Sequence, residues 1–276
     1  MTFNELFINF RRDWGVSHDV IFFNIIFYLS KVVDNKQIFI QYRNKMIDFD
    51  YQHYLKLIDD YFIKNKPLAH IIGYTNFLKL KFLIDKKVLA PRQNTEIMVQ
   101  QFINHHKNDK KRNIIDLCCG CGCIGISIKK AIPSFQVTCI DKYKKPIINT
   151  IKNAKLHKTK INVIKSNGIK YLKKCCSLDI LISNPPYINS NNFNNFKMVK
   201  WEDKNALFAK DDGLFYINEF INWLSVNSFN EAWIEFGYNQ YKKINKILKN
   251  KNNLVSEIIK ENNFMIIRSK KFKNKI

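Results

Sequence analysis

From Asn113 onward the chain alternates short apolar runs with longer stretches of helical periodicity, a pattern that few folds accept. The strand-like runs are 114–117, 136–140, 161–164, 180–182 and 232–236, and the helical stretches include 125–131, 145–156 and 214–226. Parallel strands are buried on both faces, so they read as continuous apolar runs, and each needs a crossover to reach the next. The alternation predicts an α/β fold: a mostly parallel sheet with helices on both faces and ligands at the carboxyl ends of its strands. Residues 254–259 and 264–269 read as a terminal antiparallel strand pair.

The first part of the chain lacks strand alternation and carries helical periodicity instead. Leu6, Ile8 and Phe10 lead to a break at Gly15. A second helix starts at Ser17 or His18 and runs through Ile21, Phe22, Ile25, Ile26 and Leu29. A third follows Asp50 through Tyr54, Leu57, Ile58, Tyr61 and Phe62. After Pro67 the texture changes, and 77–84 reads as a short antiparallel pair continued by Val88 and Leu89 and stopped by Pro91. The expected division is a helical domain over 1–73, a connecting strand pair over 74–92 and the α/β domain over 93–276.

The longest apolar run, 20–29, is half the ~20 residues a membrane span requires and contains Asn24, so a buried helix is expected. No basic segment with an apolar core and cleavage site opens the chain, so no signal peptide is expected. Of seven cysteines, four crowd between Cys118 and Cys123, a poor disulfide framework that suits a reduced, cytoplasmic setting. The 46 Lys and Arg against 23 Asp and Glu give a net charge of +23. Such a balance suits polyanions through counterion release. The charges are nevertheless spread along a chain that over-uses Lys, Asn, Ile and Phe throughout, which also fits compositional drift.

Residues 114–125 spell a strand, a tight turn and a helix start: Ile114-Ile115-Asp116-Leu117-Cys118-Cys119-Gly120-Cys121-Gly122-Cys123-Ile124-Gly125. Gly120, Gly122 and Gly125 form G-x-G-x-x-G, and Asp141 follows at the end of the second strand, placed to accept from ribose hydroxyls. Together these mean a nucleoside-containing cofactor without saying which. Cys118 and Cys121 have C-x-x-C spacing, but a structural zinc site wants a second, separated pair. The cysteines therefore read as small apolar fillers. The six histidines form no ligand pair, with His105 and His106 expected to point apart on a helix, so no metal is expected.

Leu181-Ile182-Ser183-Asn184-Pro185-Pro186-Tyr187-Ile188 follows a strand to the same sheet edge. The prolines carry no backbone N–H, so the carbonyls of Asn184 and Pro185 and the Asn184 side-chain oxygen converge as acceptors beside an aromatic ring. Such a collar suits a planar NH2 group, whose weakly nucleophilic nitrogen it orients toward an electrophile.

The Asn-Pro-Pro-Tyr motif resembles that of amino-group methyltransferases dependent on S-adenosylmethionine. Pro67-Leu68-Ala69-His70-Ile71-Ile72-Gly73, Phe77 and Val88-Leu89-Ala90-Pro91-Arg92-Gln93-Asn94-Thr95-Glu96 narrow the likeness to the peptide chain release factor glutamine methyltransferases. It extends to Asn205-Ala206-Leu207, Asp212-Gly213-Leu214 and Ile234-Glu235-Phe236-Gly237. The resemblance implies a Rossmann-like methyltransferase fold behind a small helical substrate-docking domain. It also implies transfer of a methyl group from S-adenosylmethionine to the glutamine of the Gly-Gly-Gln motif of release factors, a step in translation termination. By the same likeness Asp116 and the turn Cys118, Cys119, Gly120, Cys121 and Gly122 hold the methionyl part of the cofactor. Asp141 takes the ribose, and Asn167 with Gly168 lies by the adenine. Asn184 and the Pro185 carbonyl bind the glutamine amide, while Pro186 and Tyr187 shape its pocket. The sequence departs from the family at Cys118 (usually Gly), Asn167 (usually acidic), Gln93-Asn94 and Asn76. The implied partner is a release factor, with no membrane and no required nucleic acid, although the charge leaves room for weak binding to one. Rivals that share features are an adenine-N6 DNA or RNA methyltransferase and a ribosomal-protein glutamine methyltransferase. A nicotinamide dehydrogenase and a basic RNA-binding protein on an inactive fold also stay open.

Overall fold

The structure, a computed structural model, describes residues 1–30, 45–46, 48–175, 177–191 and 200–270. Cys176 and residues 192–199 lie outside them. The chain divides into two compact units, Met1–Gly73 and Tyr74–Ile276.

The first unit holds α1 (Phe3–Trp14), α2 (Asp19–Ser30), α3 (Tyr51–Phe62) and α4 (Leu68–Ile72). Thr2 caps α1 reciprocally: its hydroxyl accepts from Glu5 N–H, and the Glu5 carboxylate accepts from Thr2 N–H at 2.8 Å. The 3.6-residue period buries Phe3, Leu6, Phe7 and Phe10 and leaves Ile8 outside at 56% exposure, which corrects its reading as part of the apolar face. Phe22 of α2 is fully buried, with its ring 4.9 Å from Phe7 and 5.1 Å from Phe10. Among the described residues no helix is long and apolar enough to cross a membrane.

The second unit opens with β1 (Tyr74–Phe77) paired antiparallel to β2 (Leu80–Leu83). The turn falls at Leu78 and Lys79, both at positive φ, and the Glu96 carboxylate accepts from Leu78 N–H at 2.7 Å. This pair starts three residues earlier than the sequence suggests and excludes Val88 and Leu89. Lys87 instead bridges to Glu202. There follow α5 (Gln93–His106), β3 (Asn113–Leu117), α6 (Cys123–Ala131), β4 (Gln136–Asp141), α7 (Lys144–Leu156), β5 (Asn162–Lys165), α8 (Gly168–Leu172) and β6 (Ser177–Ser183). The remainder is β7 (Ile188–Asn189), α9 (Lys204–Leu207), β8 (Phe208–Ala209), α10 (Phe215–Val226), β9 (Ser228–Glu235), α11 (Tyr241–Lys249), β10 (Leu254–Ile259) and β11 (Phe264–Ser269).

The seven-stranded sheet runs β10-β11-β9-β6-β3-β4-β5, parallel from β9 to β5, with β10 and β11 antiparallel at one edge, as the sequence predicts. From β3 the chain first builds outward through β4 and β5, then returns to add β6 on the other side. The order therefore reverses between β3 and β6, where a crevice opens at the carboxyl ends. Ser183 Oγ donates to the Leu117 carbonyl at 2.7 Å and closes the crevice floor.

Candidate active site

The turn after β3 is built on left-handed backbone: φ is +59° at Cys118, +59° at Gly120 and +81° at Gly122. A non-glycine residue there carries strain of about 1–2 kcal/mol, and only Cys118 bears a side chain. Replacing it by glycine removes that strain and gives back some unfolded-state entropy. Cys118→Gly is expected to stabilise the protein by about 0.5–1 kcal/mol, read as a higher denaturant midpoint at unchanged slope.

Polar side chains brace the turn from behind. Asp116 is fully buried beneath it and accepts from Gly125 N–H at 3.0 Å, while its Oδ1 has no partner. Burial pushes its carboxyl up to about 7 against the Gly125 and Cys139 contacts. From α7, Thr150 Oγ1 donates to the Gly120 carbonyl and Asn153 Nδ2 to that of Cys121. Cys119 and Cys121 are buried, so they present backbone and not thiols to the crevice. At the end of β4, Asp141 accepts from Gly120 N–H at 3.2 Å and Tyr143 N–H at 3.0 Å. Burial raises its carboxyl, the backbone donors oppose this, and the negative charge of Asp203 adds to it.

A cavity of about 780 Å³, partly open to solvent, occupies the crevice. Cys118, Gly120, Asp141, Asn167, Gly168, Asn184 and Pro186 all line it. Asp116, Cys119, Cys121 and Gly122 are not on its wall. Ile140, Ile169, Tyr216 and Phe220 add an apolar slot. Asn167 caps α8, its Oδ1 accepting from Lys170 N–H at 3.2 Å. That leaves one lone pair of the side-chain oxygen assigned by resemblance to the adenine.

A second cavity adjoins the first, lined by Leu89, Arg92, Asn184, Pro185, Tyr187, Ile188, Ala206 and Leu207. Asn184 lies on the wall of both. Its Nδ2 donates to Thr95 Oγ1 at 2.9 Å; Thr95 Oγ1 donates to Glu235 Oε2 at 2.6 Å; Tyr187 Oη donates to Glu235 Oε1 at 3.0 Å. Among the described residues Asn184 Oδ1 and the Pro185 carbonyl accept no hydrogen bond. The segment around Ala206 is anchored by Glu202, fully buried, which pairs with Arg92 and accepts from Ala90 N–H at 3.2 Å. Gly213, at φ +83°, packs its Cα against the Tyr187 carbonyl, which also accepts from Gln240 Nε2 at 2.8 Å. A Cβ on Gly213 would lie 2.0 Å from that carbonyl oxygen. Gly213→Ala is expected to cost roughly 3 kcal/mol, visible as a lower midpoint in guanidinium unfolding.

Residues 91–209 match the family described as Methyltransferase small domain. A release factor glutamine methyltransferase from Clostridium botulinum (strain Hall) is 33% identical over 233 residues, which cover 80% of this chain and 81% of that protein. The chain belongs to the release factor glutamine methyltransferase family. Another relative of that name, from Fusobacterium nucleatum, is 34% identical over 76% of this chain, and the match spans 62% of that relative's own length, just under two thirds. Among solved structures the hMettl16 catalytic domain superposes with a TM-score of 0.53 at 14% identity, covering 89% of this chain and 91% of that one. That likeness shows the fold alone.

Membership in the release factor glutamine methyltransferases makes S-adenosylmethionine the methyl donor, and the crevice fits it. The apolar slot suits a purine, and Asp141 stands at the strand end where a ribose lies. A Cβ on Gly120 would meet nothing within 4 Å, so the turn's backbone is open to a ligand. Asp141 and Asp203 both line the cavity, and a sulfonium cation relieves their mutual repulsion.

The family likeness brought Leu89, Arg92, Thr95, Ala206, Gly213 and Glu235 into view without giving any of them a task. Tyr216, Phe220 and Asp203 went unnoticed, since no periodicity or motif spacing marks them. The reading that the histidines form no ligand pair is also corrected. The rings of His105 and His106 meet edge to face with centroids 4.7 Å apart, and a nitrogen of each gathers with a Glu231 oxygen to within 4.8 Å of one another. The Glu231 carboxylate is already engaged by Arg268 and Trp233 Nε1, and His106 Nδ1 by Asp109. Of the three, His106 and Glu231 are buried and His105 is exposed.

Proposed function

We propose that the chain transfers the methyl group of S-adenosylmethionine to the side-chain amide nitrogen of the glutamine in the Gly-Gly-Gln motif of peptide chain release factors. The observation that carries this reading is Asn184 on the wall between the two cavities, with its Nδ2 occupied and its Oδ1 free.

The cofactor supplies an electrophilic methyl carbon on a sulfonium. Asp141 takes the ribose hydroxyls, Asn167 and Gly168 lie by the adenine, and the turn from Cys118 to Gly122 holds the methionyl part, with Asp116 acting through the turn it braces. Asn184 Oδ1 and the Pro185 carbonyl accept the two hydrogens of the glutamine NH2, while Pro186 and Tyr187 wall its pocket. Held this way, the nitrogen's lone pair points across the shared wall at the first cavity. Near-attack positioning supplies much of the rate gain for so weak a nucleophile. No general base is required, because the alkylated nitrogen releases its proton readily.

The helical unit Met1–Gly73 docks the release factor, and the protein works in the cytoplasm. Its positive charge supports weak contact with nucleic acid without making it a substrate. Incubation with labelled donor and purified release factor, ribosomal protein or duplex DNA, followed by mass analysis, tests the reading. One added methyl on the Gly-Gly-Gln peptide is expected; label on DNA adenine, or on ribosomal protein alone, would overturn it.

A further inference from the structure

We infer that Thr95 and Glu235 are positioning residues that lock which edge of the Asn184 amide faces the substrate. The inference rests on the reading of Asn184 as the amide grip. A threonine hydroxyl has one proton, and here Glu235 Oε2 takes it at 2.6 Å. The Thr95 oxygen can then only accept from Asn184, so Nδ2 must face it, at 2.9 Å. Turned by 180°, the amide would set Oδ1 against a hydroxyl with no proton to offer. It would also present NH2 to the substrate's NH2, donor against donor. Thr95 and Glu235 are 2% and 1% exposed, so water does not substitute for either. The second Glu235 oxygen is held by the Tyr187 hydroxyl at 3.0 Å, so both carboxylate oxygens receive protons from hydroxyls.

The lock works only while Glu235 is ionised. A proton on Oε2 would turn the Thr95 hydroxyl from donor to acceptor and release its own proton toward Asn184. Burial pushes Glu235 up to about 7, opposed by the Thr95 and Tyr187 hydroxyls and the charge of Arg92, which Glu202 partly neutralises. Burial and Glu235 also raise the Tyr187 phenol, which therefore keeps its proton. Because the ionised form is the active one, methyl transfer is lost as pH falls through that region and restored as it rises.

The test compares Thr95→Val, Thr95→Ser and Glu235→Gln with the full-length wild-type enzyme on release factor. Thr95→Val should lower kcat by about 30-fold or more, with KM for release factor and S-adenosylhomocysteine affinity within about threefold. Thr95→Ser, which keeps the hydroxyl, should recover to within about threefold of wild type. The wild-type kcat should show an acid limb near pH 7, and Glu235→Gln should flatten it, since an amide has no proton to gain there. A folded Thr95→Val that keeps a third or more of kcat overturns the lock, as does a Thr95→Ser no better than valine. Should Thr95→Val not fold, the Glu235→Gln profile decides: an acid limb that persists unchanged overturns the lock. A wild-type enzyme that leaves release factor unmodified defeats the substrate reading instead, so the two failures are distinguishable.

Discussion

Asn184→Ala is expected to reduce methyl transfer to release factor by at least about a hundredfold, while S-adenosylhomocysteine still binds within about threefold of wild type. The substitution removes the Oδ1 acceptor and leaves Thr95 without its donor, but Asp141 and the Gly120 turn remain. The glutamine amide then rotates freely about its side-chain bonds, and the near-attack fraction collapses. Single-turnover rates and calorimetry on the same preparation check both halves. A variant that retains more than about a tenth of the wild-type rate would show that orientation by this oxygen is not what drives the reaction.

Asp141→Ala should act on the other half of the site. Its carboxylate holds Gly120 N–H and Tyr143 N–H and, in the proposed complex, the ribose. A hydrogen bond to a charged group contributes about 1.5–3 kcal/mol, so losing the ribose contact and loosening the turn should weaken S-adenosylhomocysteine binding by about 30-fold or more. The same carboxyl gives a pH dependence in wild type. Burial raises it and the ribose hydroxyls favour its ionised form. Cofactor affinity should therefore decline as pH is lowered through the raised value, and Asp141→Asn should remove that decline. Equal affinities for wild type and Asp141→Ala in calorimetry would rule out the ribose contact.

The parallel sheet was legible because β3, β4 and β6 are mostly apolar, broken by single polar residues such as Asp116, Thr138 and Asp179. The first half of β9 was not, since Ser228, Asn230 and Glu231 break the run; Glu231 is buried there with the Arg268 guanidinium 3.3 Å away. α11 carries Tyr241, Ile244, Ile247 and Leu248 at helical spacing, a face that packs on the core and is present in the sequence over only nine residues. At the site, the glycine fingerprint and the Asn-Pro-Pro-Tyr run exposed Cys118, Gly120, Asp141 and Asn184, each within a few residues of a strand end. The bonds that orient Asn184 were invisible, because Thr95 lies 89 residues before it and Glu235 lies 140 residues after Thr95. No local pattern couples such positions. The departure at Cys118 had a physical meaning readable in advance, since a positive φ is what a family glycine at that place would serve.

The distance between those partners has a consequence during synthesis. Thr95 emerges early and Asn184 midway, but Glu235 ends β9, a strand held inside the sheet between β6 and β11. A chain that has not yet delivered β9 lacks both the strand that pairs with β6 and the acceptor of the Thr95 hydroxyl proton. A truncation that removes β9 is therefore expected to lose the crevice together with the Thr95 bond, read as loss of S-adenosylhomocysteine binding in calorimetry.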